Sequence, residues 1–170
     1  MWWRTKMFAA SALRHSLVIS CLVLILSSCG FHLKKASDLP QDLMTLEVNA
    51  SDPNSALYEQ LLSELARSNV QVNKGLRANS PMLRLTSDRL DRRTLSLFKN
   101  GQVAEYELIY SVSYTLKRAG EDPIEQYFEL YRNYQDDPDN ALAKANEMTI
   151  LLEELRKQAS RRIVRELAQL

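Results

Sequence analysis

The clearest pattern in the chain is Glu107-Leu-Ile-Tyr-Ser-Val-Ser-Tyr-Thr-Leu-Lys117, in which large apolar residues recur at every second position. Successive side chains of a β-strand point to opposite faces, so this alternation predicts a strand with one face in a core. Antiparallel sheets commonly bury only one face, which suits such a strand. The predicted buried face consists of Leu108, Tyr110, Val112, Tyr114 and Leu116.

Turn signals on both sides place partner strands beside this one. Lys99-Asn-Gly-Gln102 precedes it, and Asn-Gly favours the positive φ angles of a type I′ hairpin turn. Residues 82–98 are then the strand before that turn. Ala119-Gly-Glu-Asp-Pro123 follows and returns the chain to a last strand over residues 124–134, with Phe128 in the core.

The amino-terminal half predicts a strand, a helix and a second strand. Residues 43–48 alternate like a strand, and Asp52 and Pro53 suit the N-cap and first position of a helix. Asn69 suits the left-handed residue that follows a last helical turn. Residues 70–72 start the second strand, so this order predicts a parallel pair joined by a right-handed crossover.

The last predicted helix opens at Asp137-Pro138 and runs to about Leu170. Its polar face mixes both charges, so we favour packing on the sheet over the alternative of a membrane-surface helix. The predicted fold class is α+β, with two helices packed on one face of a four- to five-stranded mixed, mostly antiparallel sheet. The residues expected to face the core recur at intervals of three and four: Leu142, Ala145, Met148, Leu152, Leu155, Ala159, Ile163 and Leu167.

The first 28 residues predict a signal peptide. They begin with three cations and no acidic residue, and residues 17–26 form an apolar run too short for a bilayer span of about 20 residues. Ser27, Ser28 and Cys29 follow and resemble a bacterial lipobox. The resemblance implies a diacylglyceryl thioether and a further acyl chain on Cys29. The alternative is an ordinary signal peptide that happens to precede a cysteine.

The rest of the chain suits a single domain. We predict a lipidated tether over residues 29–41 and one domain over residues 42–170. Loss of Arg4, Lys6 and Arg14 with the signal peptide takes the formal charge from +1 to −2. A balance this close to neutral argues against a general nucleic-acid binder.

Composition also limits the chemistry. The chain has two histidines and two cysteines. His15 and Cys21 belong to the signal peptide and Cys29 takes the lipid, which leaves His32 close to the anchor. One histidine without a free thiol excludes His/Cys zinc sites and Cys–His nucleophile pairs. We therefore predict no enzyme, no metal site and no cofactor.

Three segments together resemble the LptE (RlpB) family of lipopolysaccharide-assembly lipoproteins. They are Cys29-Gly-Phe-His-Leu33, Leu97-Phe-Lys-Asn-Gly-Gln-Val-Ala-Glu-Tyr106 and Ala141-Leu-Ala-Lys-Ala-Asn-Glu147, and Asp52-Pro53-Asn54 and Asp137-Pro138 also fit. The resemblance implies a lipid-anchored protein on the periplasmic face of the outer membrane. It further implies a plug in the lumen of the large β-barrel LptD, which assists assembly of that barrel and helps insert lipopolysaccharide at the cell surface.

The same resemblance implies site residues. In the family, cations in the Phe-basic-Asn-Gly turn and in the Ala-Leu-Ala-Lys segment are implicated in lipopolysaccharide binding, and these match Lys99 and Lys144. The family often has arginine in the turn, and lysine lacks its bidentate geometry. Phe98, Asn100 and Gly101 become the expected partner or assembly turn.

Several alternatives stay open at this point. Both lysines could be ordinary solvated charges, and Phe98 could either stay exposed for a partner or fold back onto the sheet. Arg89, Arg92 and Arg93 could extend the cationic surface, but no matched motif includes them and they are expected to be solvated. The competing function is a general envelope chaperone or pilotin-type lipoprotein for another outer-membrane protein, which would bind an extended peptide or strand edge and no lipid A.

Overall fold

The computed structural model describes residues 39–73, 75 and 80–170. They form a five-stranded sheet with two helices on one face, which confirms the predicted α+β class. The predicted signal peptide, Cys29 and most of the predicted tether lie outside these residues. The elements are β1 (Thr45–Ala50), α1 (Ala56–Arg67), β2 (Gln71–Asn73), β3 (Met82–Leu97), β4 (Val103–Lys117), β5 (Ile124–Gln135) and α2 (Ala141–Leu167).

The sheet combines a parallel part and an antiparallel part. Its strand order is β2-β1-β3-β4-β5. β1 is parallel to both β2 and β3, so the predicted parallel pair is confirmed. β3, β4 and β5 form two antiparallel hairpins with long registers.

β4 is the centre of the core, as its alternation predicts. All five residues of its expected buried face are buried. The Tyr110 hydroxyl donates to the Asp88 carboxylate at 2.6 Å, and the Tyr114 hydroxyl donates to Glu166 of α2 at 2.6 Å. Burial, followed by these carboxylate contacts, raises the pKa of both tyrosines far above the ordinary value of 10.0.

The first strand and helix begin later than the sequence predicts. Residues 41–43 form a 3₁₀ turn with Leu43 buried, so β1 starts at Thr45. The Ser55 hydroxyl, rather than Asp52, caps α1 by accepting from the Tyr58 backbone N–H at 3.2 Å. Asp52 accepts from the Asn54 N–H at 3.0 Å, so its side chain closes a turn ahead of the helix. Asn69 has φ 59° after the last helical turn, which confirms the predicted stop.

The β3–β4 hairpin forms where predicted, but the predicted type I′ turn is wrong. Such a turn needs positive φ at both central residues, and of the non-glycine residues that the structure describes only Asn69 has positive φ. The Gly101 N–H donates to the Phe98 carbonyl at 2.9 Å and Gly101 alone is left-handed, with φ 84°. The longer loop places the left-handed residue at its end, so Asn100 keeps an ordinary conformation.

Helix α2 packs on the core over only part of its length. A 3₁₀ turn at Pro138–Asn140 precedes it. The expectation that its whole apolar stripe faces the core is wrong for the first turns: Leu142 is 79% exposed and Ala145 is exposed, while Met148 and Leu152 are half-buried. Helix α2 has 27 residues and α1 has 12, so α1 can cover only part of the length of α2. Its buried residues are Leu155, Ala159, Ser160, Ile163, Val164 and Leu167. None of the helices described here is long and apolar enough to cross a membrane.

Candidate functional site

Lys144 is held in place by two neighbours near the start of α2. Its Nζ lies 2.6 Å from a Glu147 carboxylate oxygen and 4.8 Å from the centre of the Tyr134 ring. These contacts leave 17% of the lysine side chain exposed. The hydrogen bond to Glu147 raises the pKa of Lys144 above its ordinary value. Lys144 is therefore a partly enclosed, fully charged ammonium rather than a freely solvated one.

A cleft of about 420 Å³ opens beside Lys144, between the end of β5 and the start of α2. Arg92 of β3 also lines it, on the face of the sheet that carries the helices. Arg92 remains exposed, as expected, but it borders the cleft beside Lys144. The remaining lining residues are Tyr134, Asp136, Asp137, Pro138, Ala141, Ala145 and Met148.

Arg89 and Arg93 of β3 lie away from this cleft, on the opposite face of the sheet. Arg89 pairs with Asp91 at 2.8 Å, and Arg93 pairs with Glu107. Both side chains remain exposed, as expected. Arg92 is thus the arginine of this group that the fold brings to Lys144.

Three carboxylates lie in and around the cleft, against the two cations Lys144 and Arg92. Asp136 and Asp137 accept backbone N–H groups of Asp137 and Asp139 at 3.0 and 3.1 Å, so they shape the turn before α2. Glu147 neutralises Lys144 directly. An anionic ligand must therefore compete with Glu147 for the ammonium, whereas Arg92 has no ion-pair partner among the described residues.

The β3–β4 turn forms a second cationic place. Lys99 is exposed at its apex, next to Phe98, which is 42% exposed. Phe98 therefore does not fold back onto the sheet. The Asn100 side chain accepts from the Gln102 N–H at 3.1 Å and donates to the Gln102 side chain at 2.8 Å, which stiffens the turn.

Lys99 and Lys144 lie at the same end of the molecule but do not meet. Tyr134, which contacts Lys144, pairs with Tyr106 in the sheet. Gly101 of the turn lies five positions before Tyr106, a spacing of at most about 16 Å at about 3.3 Å per residue of extended chain. The two cationic places are therefore separate, and each can bind a different anionic group of one large ligand.

Comparison with known proteins assigns the family. A model of the family described as LptE, Lipopolysaccharide-assembly, matches residues 43–167. The chain belongs to the LptE family. It is 35% identical over 153 residues to the LPS-assembly lipoprotein LptE of Pectobacterium atrosepticum, covering 89% of this chain and 83% of that one. It is 34% identical over 152 residues to the protein of the same name from Yersinia enterocolitica, covering 89% and 73%.

Solved structures show the same fold. Rare lipoprotein B from Shewanella oneidensis superposes with a TM-score of 0.69 at 39% identity, over 74% of this chain and 94% of that one. Lipoprotein B from Nitrosomonas europaea superposes with a TM-score of 0.67 at 24% identity, over 82% and 90%. The second likeness supports the fold alone.

The region that matches the LptE family contains both cationic places. Lys99 and Lys144 fall inside residues 43–167, and so do Arg92, Tyr134 and Glu147. The sequence offered Arg92 only as one of three possible extensions of the cationic surface and gave no sign of Tyr134, because these residues come from β3 and β5, outside both motifs. Cys29, the predicted lipidation residue, lies before the matched region and outside the described residues.

Proposed function

We propose that this LptE-family chain is an outer-membrane lipoprotein, anchored through Cys29 on the periplasmic face. In this proposal it binds lipopolysaccharide, plugs an LptD-like β-barrel and assists assembly of that barrel. Its residues bind and position; they catalyse no reaction. The observation that carries the lipid-binding part is the enclosed ammonium of Lys144 in a cleft with Arg92, at the same end as Lys99.

The cleft suits a phosphate attached to a larger, partly apolar molecule. Arg92 and Lys144 supply hydrogen-bond donors with permanent positive charge. Tyr134, Pro138 and Met148 supply apolar wall beside them. A glucosamine phosphate carrying acyl chains combines those two chemistries.

The helix-free face of the sheet supports the barrel-plugging part of the proposal. It carries mixed charges, including the Arg89–Asp91 and Arg93–Glu107 pairs. Tyr127 and Tyr131 are also exposed on this face, and tyrosine is enriched at protein interfaces. The lumen of a large outer-membrane barrel is polar, so a polar face with scattered aromatics is compatible with it.

Charge reversal tests the lipid-binding part. Lys99→Asp combined with Lys144→Asp is expected to weaken lipopolysaccharide binding at low salt by about tenfold or more, since hydrogen bonds to charged groups contribute about 1.5–3 kcal/mol each. The matched control is Lys117→Asp with Lys157→Asp, which makes the same charge change at exposed positions elsewhere. Equal losses for the two double variants would show a general electrostatic effect and not a site.

Co-purification tests the barrel part separately. Lipidated protein extracted with detergent from envelopes is expected to carry a large β-barrel partner, identified by its mass. The Lys99 and Lys144 double variant should retain that partner. A lipoprotein recovered without any barrel would contradict this part of the proposal.

One observation favours the chaperone or pilotin alternative. Within the described part of the chain β5 pairs only with β4, so its other edge is free to bind an extended peptide over Ile124–Gln135. The pull-down decides between the two functions, because a general chaperone would carry several unrelated outer-membrane proteins and show no affinity for lipid A.

A further inference from the structure

The β3–β4 hairpin ends in exposed apolar side chains that the fold does not use. Leu95, Leu97 and Phe98 are 45%, 59% and 42% exposed. Phe98 belongs to the turn itself, and Leu97 pairs with Val103 at the last position of the ladder. None of the three belongs to the buried core cluster. We call residues 95–101 the hairpin tip.

The topology explains why these side chains have nothing to pack against. The last β4–β5 pair joins Glu105 to Gln135, and the chain then turns away from the sheet. Beyond that pair the hairpin is a two-stranded ribbon. Burying an apolar side chain requires a second layer of structure packed on the sheet. The ribbon extends past the end of β5, where a two-stranded sheet is too narrow to support such a layer.

The charge of the hairpin tip selects the kind of ligand. Lys99 is its only charged residue, and the sequence has no acidic residue between Thr94 and Ala104. A lysine can keep its ammonium in water while its aliphatic stem lies along an apolar surface. A cation among large apolar side chains is the pattern of segments that bind anionic lipids.

The hydrogen bonding of the turn also suits an apolar contact. The Phe98 N–H donates to the Gln102 carbonyl at 2.8 Å, and the Gly101 N–H donates to the Phe98 carbonyl at 2.9 Å. The Gln102 N–H donates to the Asn100 side chain at 3.1 Å. Hydrocarbon cannot accept hydrogen bonds, so a backbone that satisfies these groups internally loses less when an acyl chain covers it.

We propose that the hairpin tip binds an acyl chain of lipopolysaccharide, with Leu97 and Phe98 against the chain and Lys99 towards a lipid A phosphate. This rests on the proposed function, namely that the protein binds lipopolysaccharide. It adds a hydrophobic contact at one cationic place, so that affinity depends on the acyl chains as well as on the phosphates.

The chain offers a clean optical test. Its two tryptophans, Trp2 and Trp3, belong to the predicted signal peptide, so Phe98→Trp in the complete mature chain carrying Cys29→Ala creates a single tryptophan. The first probe is lipid A. The second is its fully deacylated disaccharide, which keeps both phosphates. We expect a blue shift of the emission of this single tryptophan with lipid A and none with the deacylated probe.

Binding by serine variants completes the test. Leu97→Ser with Phe98→Ser is expected to weaken lipid A binding by about tenfold and to leave binding of the deacylated probe unchanged. The matched control is Ile150→Ser, which removes an apolar side chain that is 57% exposed and lies outside both the tip and the cleft. Circular dichroism establishes that each variant is folded, and because all three side chains are exposed we expect no change.

Four results would overturn the inference. Equal losses for both probes would place the effect on phosphate binding or on the turn itself. An equal blue shift with phosphatidylglycerol vesicles that lack lipid A would assign the tip to any anionic bilayer. Normal lipid A binding with loss of the barrel would assign it to a protein contact. If the unaltered mature chain binds neither probe, the proposed lipopolysaccharide binding fails and the inference fails with it.

Discussion

Tyr134 and Lys144 are joined by two different contacts. The Tyr134 hydroxyl donates to the Lys144 backbone carbonyl at 3.2 Å, and its ring lies 4.8 Å from the Lys144 Nζ. Tyr134 is buried near the end of β5, so it ties the first turns of α2 to the sheet. The position of the proposed lipid-binding lysine is therefore set by a residue of another element.

Separating these two contacts gives the first prediction. Tyr134→Phe removes the hydrogen bond but keeps the ring, so the free energy of unfolding should fall by about 0.5–1.5 kcal/mol while lipid A affinity stays within about twofold. Tyr134→Ala also removes the ring beneath the ammonium and leaves a cavity, with an expected loss of about 3–5 kcal/mol. Urea unfolding and lipid A binding measure the two effects. Equal stability of the two variants would show that the ring does not anchor α2.

Glu147 competes with any anion for Lys144, which gives the second prediction. Glu147→Gln should raise lipid A affinity about two- to fivefold, as expected for losing one exposed ion-pair interaction of about 0.2–1 kcal/mol. It should also bring the pKa of Lys144 back towards its ordinary value, because the hydrogen bond to Glu147 is the main cause of the increase. The control Glu154→Gln, on the same helix as Glu147, breaks the 3.0 Å pair with Arg132 of β5 and should leave lipid A affinity unchanged. Lower affinity for Glu147→Gln would mean that Glu147 positions Lys144 instead.

The left-handed conformation of Gly101 gives the third prediction. A Cβ at this position would meet no atom within 4 Å, so the cost of Gly101→Ala comes from its φ of 84° alone. That cost is about 1–2 kcal/mol of turn stability. Gly101→Asn should cost less, because asparagine tolerates the left-handed conformation better than alanine does. Hydrogen exchange of the Gly101 and Gln102 N–H groups measures the stability of the turn. Equal losses of turn stability for Gly101→Ala and Gly101→Asn would contradict the left-handed conformation of Gly101.

The partial packing of α2 gives the fourth prediction. Leu155→Ala removes a buried side chain and should cost about 2–5 kcal/mol of unfolding free energy. Leu142→Ala, at a position of the same predicted stripe, should change it by less than about 0.5 kcal/mol. Thermal and urea unfolding of the two variants check this difference. A large loss at Leu142 would mean that the amino-terminal turns are covered in the free protein.

The buried tyrosines give the fifth prediction, which concerns alkaline pH. Burial raises the pKa of Tyr110 and Tyr114 in the folded protein above the value of 10.0 expected when unfolded. Folding favours the neutral form of both tyrosines. At high pH the tyrosines ionise more readily in the unfolded chain, which stabilises the unfolded state relative to the folded one. The free energy of unfolding should be unaffected by these groups below pH 10 and should fall as pH rises above it. Tyr110→Phe with Tyr114→Phe should flatten this fall; an unchanged slope would assign it to other groups.

Local pattern determined the parts of the fold that depend on one segment at a time. The alternation of residues 107–117 requires a strand with one solvent-exposed face and one buried face. The turn signals on either side require the chain to reverse direction. The turn type at Gly101 was not determined in this way. The turn type depends on how many residues the loop contains, and that number is set by where the pairing between β3 and β4 ends.

The packing of α2 is a second feature that the local sequence pattern does not determine. Leu142 and Leu155 belong to one helical stripe, and periodicity shows only that the stripe is apolar. Whether another element covers it depends on where α1 and the strands end, which is a relation between distant segments. The same holds for the order β2-β1-β3, since a strand can pair with any edge that the other elements leave free.

By itself the sequence determined the α+β class and two cationic motifs, and it predicts a leader and a lipidation site, because each is written in neighbouring residues. Only the tertiary structure decided that Arg92, and not Arg93, joins Lys144 in the cleft. A register shift between Leu85 and Ser87 reverses the alternation of β3, so Asp88, Leu90 and Arg92 face the helices. A bulge inserts one residue into a ladder of period two, and no property of Arg92 and Arg93 themselves reveals it.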